Sequence, residues 1–333
     1  MRVGHNPQRT KTLDKQDYLH KIIIPVYIPD TTDEYHQFSF QVLQLCINSL
    51  LSSIHSRTTL TIIDNASKKE VADYLNSLLS QNKIQQLVRY SSNQGKVDPV
   101  IAAMRGSLET LITVSDADVL FKKGWQQNVE EVFLQIPHVG MVSPVAQPSQ
   151  LRYYNVWSWY FGFKKNCFVN EENEDKESLA KLKHSLGQSE AFSEIENYPL
   201  GIKYNGVKVI IGSGHFCATY HKAVLNYIPQ KSSGNQFLNA EELFMDKPVE
   251  EAGLMRLATN LGWVYHIGNV PEEWMNDIIN ENLNDTTELN FNPSINSIEA
   301  KSITTGKLVN KALIQKMIKS PRFKKLVFKM AKK

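Results

Sequence analysis

Ile22 to Tyr27 (IIIPVY) is a continuous apolar run, and Leu60 to Ile63 (LTII) is another. Short apolar runs without alternation suit strands of a parallel sheet that is covered on both faces. Between them Val42, Leu45, Cys46, Ser49 and Leu50 recur at helical spacing, and Val71, Leu75, Leu78 and Leu79 mark a second helix. The alternation continues with a strand over Gln86 to Tyr90, a helix around Pro99 to Leu108, and a strand over Leu111 to Ser115. A helix carrying Trp125, Val129, Val132, Phe133 and Ile136 and a strand over Val139 to Val145 complete it. Strand and helix in alternation predict an α/β fold: right-handed crossovers and an open, mostly parallel sheet with helices on both faces.

The pattern breaks from Ser149 to Asn205, where an aromatic stretch (Tyr153 to Phe163) gives way to a polar, acidic one (Asn170 to Ser178). That break predicts an insertion lying over the sheet. Regular structure resumes with a strand over Val207 to Ile211 and a helical stretch from His221. Leu254, Leu257, Ala258 and Leu261 then predict a last helix, closed by Gly262 before a strand over Trp263 to Ile267.

Composition adds little to this picture, but charge changes it. The formal net charge of +3 hides an asymmetry: residues 301–333 hold 11 Lys and Arg and no acid, against 26 basic and 34 acidic residues before them. Cys46, Cys167 and Cys217 are scattered, which points to free thiols and not to a disulfide framework or a thiolate zinc site. The apolar runs stay short of a membrane span and the amino terminus lacks a signal-peptide core, so a cytoplasmic protein is expected.

The chemistry is concentrated in LITVSDADVL (Leu111 to Leu120). Asp116 and Asp118 follow an apolar run one residue apart, and residues two apart on a strand share a face. Paired carboxylate oxygens suit a hard divalent cation that keeps positions for phosphate oxygens. Ligands of open α/β sheets gather beyond the carboxyl ends of strands, where both this pair and Asp64 fall.

The ordered series IIIPVY, TIIDNAS (Thr61 to Ser67), SSNQGKVDPVIAAMRGS (Ser91 to Ser107) and VSDADV (Val114 to Val119) resembles the family 2 glycosyltransferases of the GT-A fold, over residues 20 to 145. A second block, DKPVEEAGLMRLATNLGW (Asp246 to Trp263), is similar to that family's acid-bearing helix with its downstream Arg and Gly. The resemblance implies a metal-dependent, inverting enzyme that moves a sugar from a nucleoside-diphosphate sugar, UDP by default, to a glycan or lipid-linked acceptor. It also implies a division into an arm (1–20), a nucleotide-sugar half (21–148), the insertion or lid (149–206), an acceptor-binding and catalytic half (207–300) and the basic tail (301–333).

By that resemblance Asp118 is the principal ligand of Mn²⁺ or Mg²⁺. Asp116 binds ribose or sugar and shares the metal, and His266 completes the shell or is simply packed and hydrogen-bonded on its strand. Pro25, Tyr27, Asp64, Asn93, Lys96 and Arg105 fall on the nucleotide-sugar side. Asp64 has an alternative as an Asx turn in DNAS, and Lys96 and Arg105 as solvated helix residues. The acceptor hydroxyl must lose a proton, so a carboxylate base is required. Counting back from Arg256 points to Glu250. Helical geometry agrees: Glu250 shares a face with Leu254, Leu257 and Leu261 and so points along the buried side of the first turn toward the cleft, and Glu251 lies about 100° away. Both are candidates, and first-turn helix acids are the alternative. On the acceptor side stand His215, in a glycine-rich turn, and Trp157 and Trp159, whose rings could stack on sugars or serve as a lid's own core.

The tail from Lys307 places Val309, Leu313 and Met317, then Phe323, Leu326, Val327 and Met330, between lysines. This is a cationic amphipathic pattern suited to an anionic membrane surface, or to a terminal helix packed on its own domain. No nucleic-acid recognition motif accompanies the charge. A sugar nucleotidyltransferase and a catalytically silent glycan- or membrane-binding relative are the competing readings. The first lacks support because PVYIPDTTDEY, after the first strand, is not a glycine-rich loop.

Overall fold

The computed structural model describes residues 3–6, 9, 18–189, 191–234, 240–303 and 311–331. In chain order the strands are β1 (His20–Val26), β2 (Thr58–Asn65), β3 (Gln86–Tyr90), β4 (Leu111–Ser115), β5 (Val119–Phe121) and β6 (Val139–Ser143), then β7 (Phe168–Asn170), β8 (Leu200–Tyr204), β9 (Val207–Ile210), β10 (Cys217–His221), β11 (Met255–Thr259) and β12 (Val264–His266). The helices are α1 (Ser39–Leu51), α2 (Lys69–Ser80), α3 (Val97–Arg105), α4 (Trp125–Gln135), α5 (Val156–Lys165) and α6 (Lys176–Ser185), then α7 (Glu194–Asn197), α8 (Lys247–Glu251), α9 (Glu273–Asn284), α10 (Lys311–Lys319) and α11 (Pro321–Ala331).

Ten strands form one sheet in the order β3-β2-β1-β4-β10-β6-β11-β9-β8-β7. The pairings give seven strands one direction and reverse β7, β9 and β10 among the described residues, so the sheet is mostly parallel as expected. The unbroken apolar runs have the predicted cause. In β1, Ile22, Ile24 and Val26 pack with α1, α2 and α4 on one face, and Ile23 packs with Val97, Val100 and Met104 of α3 on the other. All eight residues of β2 are buried for the same reason.

Three expectations fail. The helix predicted over Leu254 to Leu261 is the buried strand β11, held parallel to β6 and antiparallel to β9. The preceding helix stops at Glu251, and Gly253 turns the chain with φ +73°, a conformation that costs a glycine little. A strand covered on both faces carries apolar residues without strict alternation, so a helical subset can be picked from it and its flanks. The stretch from His221 is a 3₁₀ helix over Lys222–Tyr227 and not an α-helix. The 149–206 segment does not simply lie over the sheet: its β7 and β8 extend the sheet edge, and the aromatic stretch folds as α5.

Within the basic tail Lys311–Lys319 and Pro321–Ala331 are helical, as α10 and α11. Its apolar face packs inward, with Ile318, Val327 and Ala331 buried and Phe323 against Trp159. Lys307 and Val309 lie outside the described residues.

Candidate active site

The carboxyl ends of β1, β2 and β4 open into a cavity of about 620 Å³. Pro25 and Tyr27 line it from the end of β1, Asn65 from β2, Asn93, Gly95 and Lys96 from the turn before α3, and Asp116 and Asp118 from the turn after β4. Both aspartates fall beyond β4 instead of on it, so the tight turn between β4 and β5, not strand alternation, brings them together. Asp116 N–H donates to Phe216 O at 2.8 Å, which pins the turn to the segment before β10.

A second, two-stranded sheet explains His266. β12 pairs antiparallel with β5, His266 opposite Val119, and Ile267 N–H donates to Asp118 O at 2.9 Å. The imidazole Nε2 thereby comes to 3.5 Å from Asp118 Oδ2, while Nδ1 meets Ser185 Oγ at 3.0 Å. Fixing one ring nitrogen sets which one faces the carboxylate. Asp118 Oδ1 is buried with no hydrogen-bond partner among the described residues. Burial pushes this carboxyl up, His266 pulls it back and Asp116 adds to the rise. An orphaned carboxylate oxygen beside a second carboxylate and an oriented imidazole is the donor set a divalent cation fits.

Beside Asp116 in the same lining stands Glu241, one residue ahead of a π-helical turn (Glu242–Asp246) that leads into α8. The Lys96 ammonium bridges the carboxylates of Asp116 and Glu241. Burial opposes that charge, but the two acids outweigh it and hold the ammonium above its usual range. Glu241 Oε2 also meets His215 Nε2 at 3.3 Å, and His215 Nδ1 meets Asp246 Oδ2 at 3.2 Å. Against burial, the two acids push His215 up to about 10. Glu241, against burial, is held down at about 2 by His215 and Lys96. Asp246 is locked from behind by Arg256, whose guanidinium reaches Asp246 Oδ2 and Ser213 O at 3.0 Å and Tyr153 O at 2.7 Å.

Several expected residues lie elsewhere. Asp64 is 1% exposed, its Oδ1 accepting from Ser67 N–H and its Oδ2 from Arg89 Nε, so the turn-forming alternative holds and its neighbour Asn65 faces the cavity. Asn65 organises the NQGK turn, donating to Asn93 Oδ1 and Gly95 O and accepting from Gln94 N–H. Arg105 donates to the carbonyls of Ile228 and Pro229, away from the cavity lining.

Glu250 is 3% exposed and does not line the cavity. Its Oε2 accepts from Val156 N–H at the start of α5, and its Oε1 is held by Lys311 Nζ at 2.9 Å and Gln315 Nε2 at 3.3 Å from α10. Glu251 is exposed and pairs with Lys247 one turn back. The face shared with Leu254, Leu257 and Leu261 required one helix through Gly253, whereas α8 ends at Glu251 and β11 follows. Trp157 and Trp159 are buried, their indole N–H groups donating to Glu250 O and Leu151 O, so they are core and not a sugar platform. The residue that sequence reasoning missed is Glu241, whose one local signal is an acid pair ahead of the apolar Leu243 and Phe244 in AEELFMD.

At the amino-terminal end of β1, far along the strand from the cavity, His20 Nδ1 and His55 Nε2 both meet Glu130 Oε1, at 2.8 and 2.9 Å. The spacing resembles a metal cluster. Each ring's other nitrogen is engaged too, by Thr113 for His20 and by Arg57 N–H and Thr58 for His55, as in a satisfied buried network.

Residues 22–194 match the family described as Glycosyl transferase family 2. No curated protein matches the chain. Among solved structures, a mannosyltransferase from Pyrobaculum calidifontis in complex with GDP-Man and Mn²⁺ is 13% identical, with a TM-score of 0.41, covering 79% of this chain and 62% of that one. The chain thus spans less than two thirds of that protein's length. S. aureus TarS 1-349 in complex with UDP-GlcNAc is also 13% identical, with a TM-score of 0.40, covering 81% of this chain and 68% of that one.

Proposed function

The chain belongs to glycosyl transferase family 2, and from that premise we propose that it is a glycosyltransferase that moves a sugar from a nucleoside-diphosphate sugar, UDP by default, to a glycan or lipid-linked hydroxyl with inversion. One observation carries the reading: Asp116, Asp118 and Lys96 share a cavity with one further carboxylate among the described residues, Glu241, which Lys96 links to Asp116.

The nucleoside end fits beside Pro25, Tyr27, Asn65 and Asn93. Asp118, Asp116 and His266 would hold a Mn²⁺ or Mg²⁺ ion, which when bound neutralises charge developing on the diphosphate. Lys96 supplies a fixed positive charge on the same side of the reaction. The acceptor oxygen attacks the anomeric carbon as the bond to the diphosphate oxygen breaks, and Glu241 takes the acceptor's proton. A single displacement inverts the anomeric centre. With Lys96 and His215 both on it, Glu241 is a weak base. A donor diphosphate competes for Lys96, and its release raises the affinity of Glu241 for a proton at the step that needs it. Asp246, fixed by Arg256, positions His215 against Glu241.

The test is donor hydrolysis across UDP-, GDP-, dTDP- and CMP-sugars with Mn²⁺, Mg²⁺ or EDTA, comparing wild type with Asp118→Asn, followed by NMR of the anomeric linkage in the transfer product. Metal-dependent release of one nucleotide, lost in the variant, is expected. Binding of no donor in a thermal-shift panel would reject the proposal in favour of a silent relative, and a retained anomeric configuration would remove the single-displacement step.

A further inference from the structure

The inward packing of α10 and α11 leaves an outer face whose make-up is unusual for a solvated surface. With 100° per residue, Lys325, Lys329, Arg322, Leu326 and Met330 form one continuous arc on α11, opposite the buried Val327 and Ala331. On α10, Lys319, Lys316 and Leu313 make a matching arc away from the buried Ile318. The end of α5 joins them: Phe163 contacts Phe323 of α11 and is followed by Lys164 and Lys165. Phe163, Leu313 and Leu326 are each half exposed. No acid occurs in α5, α10 or α11. Arg152 adds a further cation beside Lys324, whose ammonium is pushed down first by burial and then by that guanidinium.

We propose that this composite face, built from α10, α11 and the end of α5, docks the enzyme on an anionic phospholipid surface. Charge alone suits any polyanion. The apolar side chains decide between them, because Phe163, Leu313, Leu326 and Met330 gain from entering the acyl boundary of a bilayer and gain nothing from a soluble polymer of phosphates. No helix among the described residues is long and apolar enough to cross a membrane, so attachment is lateral. The inward apolar face is spent on the protein core, so docking needs no unfolding of the tail. The proposal stands apart from the donor chemistry above.

The experiment is flotation of the full chain with vesicles of phosphatidylcholine alone or with about 30% phosphatidylglycerol, the usual anionic content for such tests. Wild type is expected to float with the anionic vesicles only, and to release as salt rises. Each basic residue at the surface contributes about fivefold, so Lys325→Gln with Lys329→Gln should weaken partitioning about 30-fold. Leu326→Ala with Met330→Ala should weaken it about tenfold. All four positions are exposed, and an unchanged melting temperature verifies the fold of each variant. Equal binding to neutral vesicles, or none to anionic ones, overturns the proposal. So does an undiminished affinity of the Leu326/Met330 variant together with equally tight capture of wild type by soluble polyphosphate, which would make the face a polyanion site.

Discussion

Glu241→Gln and Glu250→Gln should fail in opposite ways. Glu250 is buried, accepting from Val156 N–H through one oxygen and from Lys311 and Gln315 through the other. Glutamine keeps the shape and one acceptor but loses the charge opposite Lys311. One charge-assisted hydrogen bond is worth about 1.5–3 kcal/mol, and Lys311 is 37% exposed, so solvent screening brings the cost to about 1–2 kcal/mol. For a chain of this size that lowers the melting temperature by about 1.5–3 °C. Glu250 lines no part of the cavity, so kcat should stay within about threefold, an allowance for small shifts of the adjoining helix. Glu241 shares its charge with Lys96 and His215, which retain Asp116 and Asp246 as partners when it is neutralised. Its melting temperature should move little while transfer falls about 10²–10⁴-fold, the usual worth of a general base. The assays are differential scanning calorimetry and a transfer reaction with saturating donor. A Glu250→Gln enzyme that is stable but inactive, beside an active Glu241→Gln enzyme, would refute the assignment of the base.

Other consequences are open to measurement. Ser185→Ala frees His266 Nδ1 and should weaken Mn²⁺ binding about tenfold by isothermal titration in the absence of donor; unchanged affinity would mean that His266 is not a ligand. Arg256→Met leaves buried Asp246 with His215 as its remaining cation, so the cost should fall below the roughly 3–5 kcal/mol of a wholly unpaired buried charge, and Arg256→Lys should not rescue it because one ammonium cannot span Asp246, Ser213 and Tyr153; a variant melting like wild type would show the pair to be dispensable. Burial lowers His20 below its usual value, so the unfolded chain takes up a proton first as the pH falls. Stability should therefore be lost from about pH 6.5 down to the lowered folded value. Glu130, held low by His20 and His55 despite burial, extends the loss below about pH 4.3. His20→Gln should flatten the upper part of a melting-temperature series from pH 7 to 5, and an equally steep series would assign the loss to other groups.

What the chain determined by itself was whatever depends on local pattern. The apolar runs of β1, β2 and β4 and the helical spacings of α1, α2 and α4 are legible because one layered sheet demands both periods, and Asp116, Asp118 and Lys96 lie within a few residues of those elements. His266 was legible through the strand that carries it. The rest was decided by contacts between distant segments. Asp64 and Asn65 are adjacent, and only the reach of Arg89 and the return of the NQGK turn determine which of them faces the cavity. Glu250 and Glu241 are both acids near one short helix. Which one faces the cavity depends on α5 and α10 packing over Glu250, and on Lys96, from the first half of the chain, meeting Glu241. The apolar positions of α11 have two possible partners, a bilayer or the protein, and a periodic pattern records that a face is apolar without recording what covers it. Burial is a property of the whole assembly of elements, so which of the two acids faces the cavity is decided only once they are together.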